Sequence, residues 1–151
     1  MAGTKEYIPL LSDKLKGVKN ADRHGIYVIH WIASNHKGKT ICRVASKDPE
    51  GILYIGKAGG LTLIKRISIF KRVINPKLKS DNHSGGEAYN ASKAIQNLIR
   101  AEDMGVALFT VKDETPEEAE KRYLAAYRNK YGELPPLNSQ GPRKDKPEAA
   151  G

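Results

Sequence analysis

Residues 25–33 read Gly-Ile-Tyr-Val-Ile-His-Trp-Ile-Ala. The run is β-branched and aromatic, too short for an independent helix, and apolar on both of its faces, which predicts a central strand. Downstream, Asn35-His36-Lys37-Gly38 is a turn, and residues 39–45 are expected to return as its hairpin partner. Asp48-Pro49-Glu50-Gly51 is a second turn. It leads into a strand over 52–57 that Ala58-Gly59-Gly60 closes. Upstream, residues 1–23 are mixed and polar with one apolar run, Ile8 to Leu11, and read as an arm or short helix.

Helical spacing takes over after Gly60. Leu63, Ile67, Phe70 and Ile74 recur on one face, with Ile64 at the edge of the stripe, predicting a helix over 62–73. Residues 75–86 form a polar loop. A second helix is expected from Glu87 or Asn90 to Asp103, turning Ala91, Ala94, Ile95, Leu98 and Ile99 inward, with Gly105 as its stop. Residues 106–111 read as a further strand. The last helix opens on Thr115-Pro116-Glu117-Glu118, where Thr115 caps, Pro116 takes the first helical position and Glu118 completes a capping box. It runs to Tyr131 and ends at Gly132. From residue 139 onward, Gly, Pro and charge predict a disordered tail.

The chain of 151 residues suits one domain, and no apolar run approaches a membrane span. The N-terminus lacks the apolar stretch of a signal peptide, and Cys42 is the only cysteine, so an internal disulfide is excluded. A cytoplasmic protein is expected. The net charge of +9 points to an anionic partner. Between Ala58 and Ser80 there is no acidic residue, while Lys65, Arg66, Lys71, Arg72, Lys77 and Lys79 all fall there. That stretch reads as a nucleic-acid surface rather than a membrane-binding one.

Gly25-Ile26-Tyr27 and Tyr54-Ile55-Gly56 stand in order on two predicted strands. With Tyr54-Ile55-Gly56-Lys57-Ala58, Arg66, Glu120 and Asn138, they resemble the GIY-YIG nuclease family over residues 25–138, and the lysine-alanine extension is similar to the nuclease domain of bacterial excision-repair enzymes. The resemblance implies an α+β fold in which a small three-stranded antiparallel sheet is flanked by helices. It also implies a domain over 24–138 that hydrolyses DNA with Mg²⁺ or Mn²⁺ held by Glu120. Tyr27 is then the base for the attacking water, Tyr54 orients it, Arg66 holds the phosphate, and Asn138 supports the site. DNA would be contacted by Lys57, Lys65, Arg66, Lys71 and Arg72, by a monomer or a homodimer. A non-catalytic or RNA-directed nucleic-acid-binding protein on the same scaffold is the alternative.

The residues themselves leave some roles open. Glu120 falls among Ala119, Tyr123, Leu124, Tyr127 and Tyr131 when each residue is turned by about 100°. A carboxylate on that face needs an ion pair or a metal. Arg66 flanks the apolar stripe of its helix, either covering apolar area or reaching a phosphate, whereas Lys65, Lys71 and Arg72 point outward. Tyr27 and Tyr54 suit ordinary strand packing as well as proton transfer. Phe70 stands where the excision-repair branch has a tyrosine one turn beyond the arginine. His83 is the candidate to fill that role, against the reading of a loop histidine. His24 and His30 read as structural and His36 as a turn residue.

Overall fold

The structure, a computed structural model, describes residues 5–78 and 83–138. The expected tail beyond Asn138 and Lys79 of the basic stretch lie outside the described residues.

Strand β1 is Ile8–Pro9, β2 is Gly25–Trp31, β5 is Ile52–Ala58 and β6 is Met104–Thr110. They form one sheet in the order β1-β6-β2-β5, every pairing antiparallel. β2 is central, as its composition requires, and every residue from Gly25 to His30 is buried. Its two faces go to different layers. Tyr27 and Ile29 pack with Tyr54 against helices α1 (Leu63–Ile74) and α2 (Ser84–Asn90). Ile26, Val28 and Ile55 pack under helix α4 (Pro116–Tyr131). Each such buried side chain contributes roughly 1.5–3 kcal/mol.

The sheet has four strands rather than the expected three. Ile8 pairs with Val106 and Pro9 with Gly105, while Leu10 and Leu15 enter the core, so the N-terminal arm is part of the fold. Proline is tolerated there because β1 is an edge strand.

The return strand over 39–45 does not form. Lys39 N–H donates to Trp31 O, and Ile32 bridges to Gly38. The chain then leaves the sheet as a two-stranded ribbon, β3 (Ile41–Cys42) with β4 (Lys47–Asp48). The reason is competition for β2, whose edges are taken by β5 and β6. The buried Asp48 carboxylate, accepting from Glu50 N, Ile52 N and Tyr127 Oη, shapes the turn that delivers β5 there.

Helix α1 and helix α4 are as predicted. Thr62 Oγ1 accepts from Lys65 N, and Leu63, Ile67, Phe70 and Ile74 are buried. Thr115 and Glu118 make the reciprocal box, and Gly132 closes α4 in the left-handed conformation (φ 83°). The expected helix over 87–103 is instead two, α2 and α3 (Lys93–Leu98), followed by a 3₁₀ turn. Ser92 accepts from Ile95 N and starts a new helix, as serine competes with a continuing helix for backbone hydrogen bonds. The stripe drawn across that break is therefore out of phase. Ile99 is buried and Ile95 half-buried, but Ala91 and Ala94 are exposed and Leu98 is 62% exposed. Among the described residues no helix is long and apolar enough to cross a membrane.

Candidate active site

The register of β2 on β5 sets Tyr27 opposite Gly56. The Tyr27 ring lies over that glycine: a Cβ at position 56 would come within 2.6 Å of Tyr27 Oη and of Tyr54 Cε2. The glycine of one tripeptide thus makes room for the tyrosine of the other. The two rings stand 6.0 Å apart. A Cβ at Gly85 would approach the Tyr54 ring to 2.7 Å, so the absence of a side chain there lets the first turn of α2 settle on Tyr54. Phe70 backs the cluster, parallel to Tyr54 and edge-on to His83.

His83 caps α2 and is only 1% exposed, so it is not a solvated loop histidine. Its Nδ1 accepts from Gly86 N (3.1 Å) and its Nε2 lies 2.6 Å from Tyr27 Oη. An imidazole that accepts at Nδ1 carries its hydrogen on Nε2 when neutral, so His83 donates to Tyr27. Burial, helped by the Arg66 charge, holds His83 down to about 4, so it is neutral at physiological pH. Burial pushes the Tyr27 phenol well above its ordinary value, and Tyr54 adds to this while Arg66 opposes it. Tyr54 is also raised by burial, against a hydrogen bond with Ser84 Oγ at 3.1 Å. Both tyrosines are phenols at rest. Tyr27 is fully buried, and Tyr54 is the one that reaches the open cleft.

That cleft, about 470 Å³, is walled by Tyr54 and Lys57 of β5, Arg66 of α1, Gly59 to Leu61, and the start of α4 as far as Glu120. Glu120 is half-buried. Desolvation raises its pKa, Glu117 adds to this, and Lys57 and Arg66 pull it back. Lys57 Nζ stands 3.6 Å from Glu117 Oε2. Among the described residues no ion pair ties up the Glu120 carboxylate, so the core ion pair left open by the residue pattern is not formed. Arg66 is the hub of the site, its charge acting on Tyr27, Tyr54, His83 and Glu120 alike.

Asn138 holds the outer edge of β5, its Oδ1 accepting from Ile55 N (2.8 Å) and its Nδ2 donating to Ile55 O (3.0 Å). This stands in for a missing neighbouring strand between Tyr54 and Gly56. His30 stacks on Tyr7 and bonds Glu50 O, His24 bonds Leu61 O, and His36 sits in a turn at φ 68°.

The basic residues do not form one surface. Lys65 and Arg72 share a groove with Ser68 and Ile69 on the exposed face of α1. Lys71 lies in a separate groove with Tyr89, Gln96 and Arg100. Two facing residues seven apart coincide on a helix, whereas Lys71 is about 100° from Arg72. Ser84, Gly85 and Glu117 are site residues that the sequence reading passed over. The glycine pair at 85–86, one residue beyond His83, was the available signal of a close backbone approach.

Among the described residues no group of three His, Cys, Asp or Glu side chains gathers as an all-protein metal cage. The Glu120 carboxylate, opening with that of Glu117 on a cleft with room for water, fits a small hard cation that keeps most of its water ligands. Comparison with protein-family models, curated proteins and solved structures found no match to this chain.

Proposed function

We propose that the protein is a metal-dependent endonuclease hydrolysing DNA phosphodiester bonds, on a GIY-YIG nuclease fold to which Ile8–Pro9 adds a fourth strand. The observation that carries this reading is one cleft lined by Tyr54, Arg66 and Glu120, from separate parts of the chain, with Tyr27 and His83 packed behind Tyr54. Structural roles alone do not call for a half-buried carboxylate and a guanidinium lining the same cleft as the Tyr54 phenol.

A scissile phosphate entering the cleft meets Arg66, whose planar guanidinium suits two phosphoryl oxygens and gains in worth as charge builds there. Glu120 is the residue that would hold Mg²⁺ or Mn²⁺. Such an ion, when bound, supplies a Lewis acid for the phosphoryl and leaving oxygens. Tyr54 orients the attacking water at the cleft wall, with the Tyr27 ring 6.0 Å behind its own. Tyr27 acts as base once it has released its own phenolic proton to solvent; the phenolate then takes the water's proton and returns to the phenol. His83 Nε2–H and Arg66 both favour that phenolate, against the burial that disfavours it. Lys57, Lys65 and Arg72 hold the flanking backbone.

The test is digestion of supercoiled and linear DNA, and of matched RNA, with and without Mg²⁺, by the intact protein and by Glu120→Ala. Expected are Mg²⁺-dependent nicking of DNA, weak or no cutting of RNA, and a folded Glu120→Ala protein that binds DNA without cutting. Mg²⁺-dependent cutting retained by Glu120→Ala would refute the metal assignment. Preferential RNA cutting would move the substrate class, and binding without cutting would make this a non-catalytic binding domain.

A further inference from the structure

We infer that Leu61 is an apolar wedge that packs on a nucleobase beside the cleaved phosphate, so that the substrate is a strand unstacked at the cut. This rests on the endonuclease reading and names the form of nucleic acid its cleft accepts. Leu61 lies where two grooves meet: it lines the cleft of Arg66 and Glu120, and also the groove of Lys65 and Arg72. It is 39% exposed and belongs to neither core cluster. A leucine just before a helix cap ordinarily staples to the fourth helical residue, but in α1 that residue is Arg66, which offers no apolar partner.

The backbone around Leu61 is held firmly. Its carbonyl oxygen lies 3.0 Å from His24 Nδ1, Leu63 N–H donates to Arg23 O and Ile64 N–H to Ala21 O, both at 2.8 Å. Those bonds also occupy the first amides of α1, so phosphate cannot be held by the helix terminus and falls to the lysines and arginines on either side. Gly59 and Gly60 precede it with ordinary backbone angles. A Cβ at Gly60 would meet nothing within 4 Å, and at Gly59 only Pro116 at 3.9 Å. Neither conformation nor packing demands glycine there, which leaves space for a ligand's close approach. Charge complementarity selects a polynucleotide: the groove on one side of Leu61 carries Lys65 and Arg72 and no acid, and the cleft on the other side carries Lys57 and Arg66 beside Glu117 and Glu120. A side chain without polar atoms, set between phosphate-holding cations, has a base face as its favourable partner, as in proteins that insert apolar wedges between base steps.

The experiment compares a fully paired duplex with the same duplex carrying a short mismatch bubble at the mapped cut, using intact protein, Leu61→Ser and Leu61→Met. Leu61→Ser is expected to cut the paired duplex roughly tenfold or more slowly while cutting the bubble almost as fast as the parent, because the bubble is already unstacked. Leu61→Met should retain duplex cutting. A 2-aminopurine base beside the cut should brighten on binding the intact protein and not on binding Leu61→Ser. An equal loss on both substrates, or no loss on either, overturns the wedge while leaving the nuclease standing. Failure of the intact protein to cut either substrate overturns the nuclease reading and the wedge with it.

Discussion

Replacing His83 by Asn separates its two bonds. Asparagine is a good cap and keeps an acceptor for Gly86 N–H, but it is too short to reach Tyr27. Near neutral pH the loss of that one buried hydrogen bond should cost about 1–1.5 kcal/mol. The larger signature lies in acid. His83 has an ordinary value of 6.5 and a folded value of about 4. Above 6.5 the folded and unfolded chains both hold it neutral and it adds no pH dependence. As pH falls below 6.5 the unfolded chain takes up a proton that the folded chain excludes, so stability is lost until pH passes below about 4. At about 1.36 kcal/mol per pH unit the loss comes to about 3 kcal/mol. His30 is lowered by burial as well, but it is present in both proteins and cancels in their difference. Urea unfolding of parent and His83→Asn over about pH 7.5 to 4.5 reads that difference. The variant begins less stable and should overtake the parent in acid. Parallel curves would mean that folded His83 is charged or hydrated, and the donor role assigned to Nε2 would fall.

Tyr27→Phe keeps the ring and should fold, yet cut about a hundredfold or more slowly, the usual worth of a general base. Tyr54→Phe should show a smaller rate defect, and the reverse order in single-turnover assays would exchange the two roles. Lys65→Ala with Arg72→Ala should flatten the dependence of DNA affinity on salt by roughly two in log–log slope, whereas Lys71→Ala, in its own groove, should leave the slope nearly unchanged. Gly56→Ala drives a methyl group against Tyr27 and Tyr54, and overpacking of that kind costs about 1–3 kcal/mol, which thermal melting will report. An unaltered melting temperature would show that the rings have room to move.

Much of the fold was legible because its signals are local. The apolar run at 25–31, the stripe of α1, and the capping box, Pro116 and Gly132 of α4 each specify an element through contacts within a few residues. Glu120 among aromatics and Arg66 at the edge of its stripe were also readable, because helical phase alone sets which side chains turn inward. Other features needed the folded chain. Two residues of β1 carry no strand signal of their own and are ordered only by the β6 edge. Ser92 breaks a helix whose apolar spacing continues across it, so the phase of the far half was set by packing on the core. The donor role of His83 depends on an amide three residues later and a phenol 56 residues earlier. Why glycine stands at 56 is answered by the ring lying across it from the neighbouring strand. Propensity, capping and periodicity act along the chain over a turn or two. Register, steric fit and proton placement are settled between groups that the sequence holds far apart and only burial brings into contact.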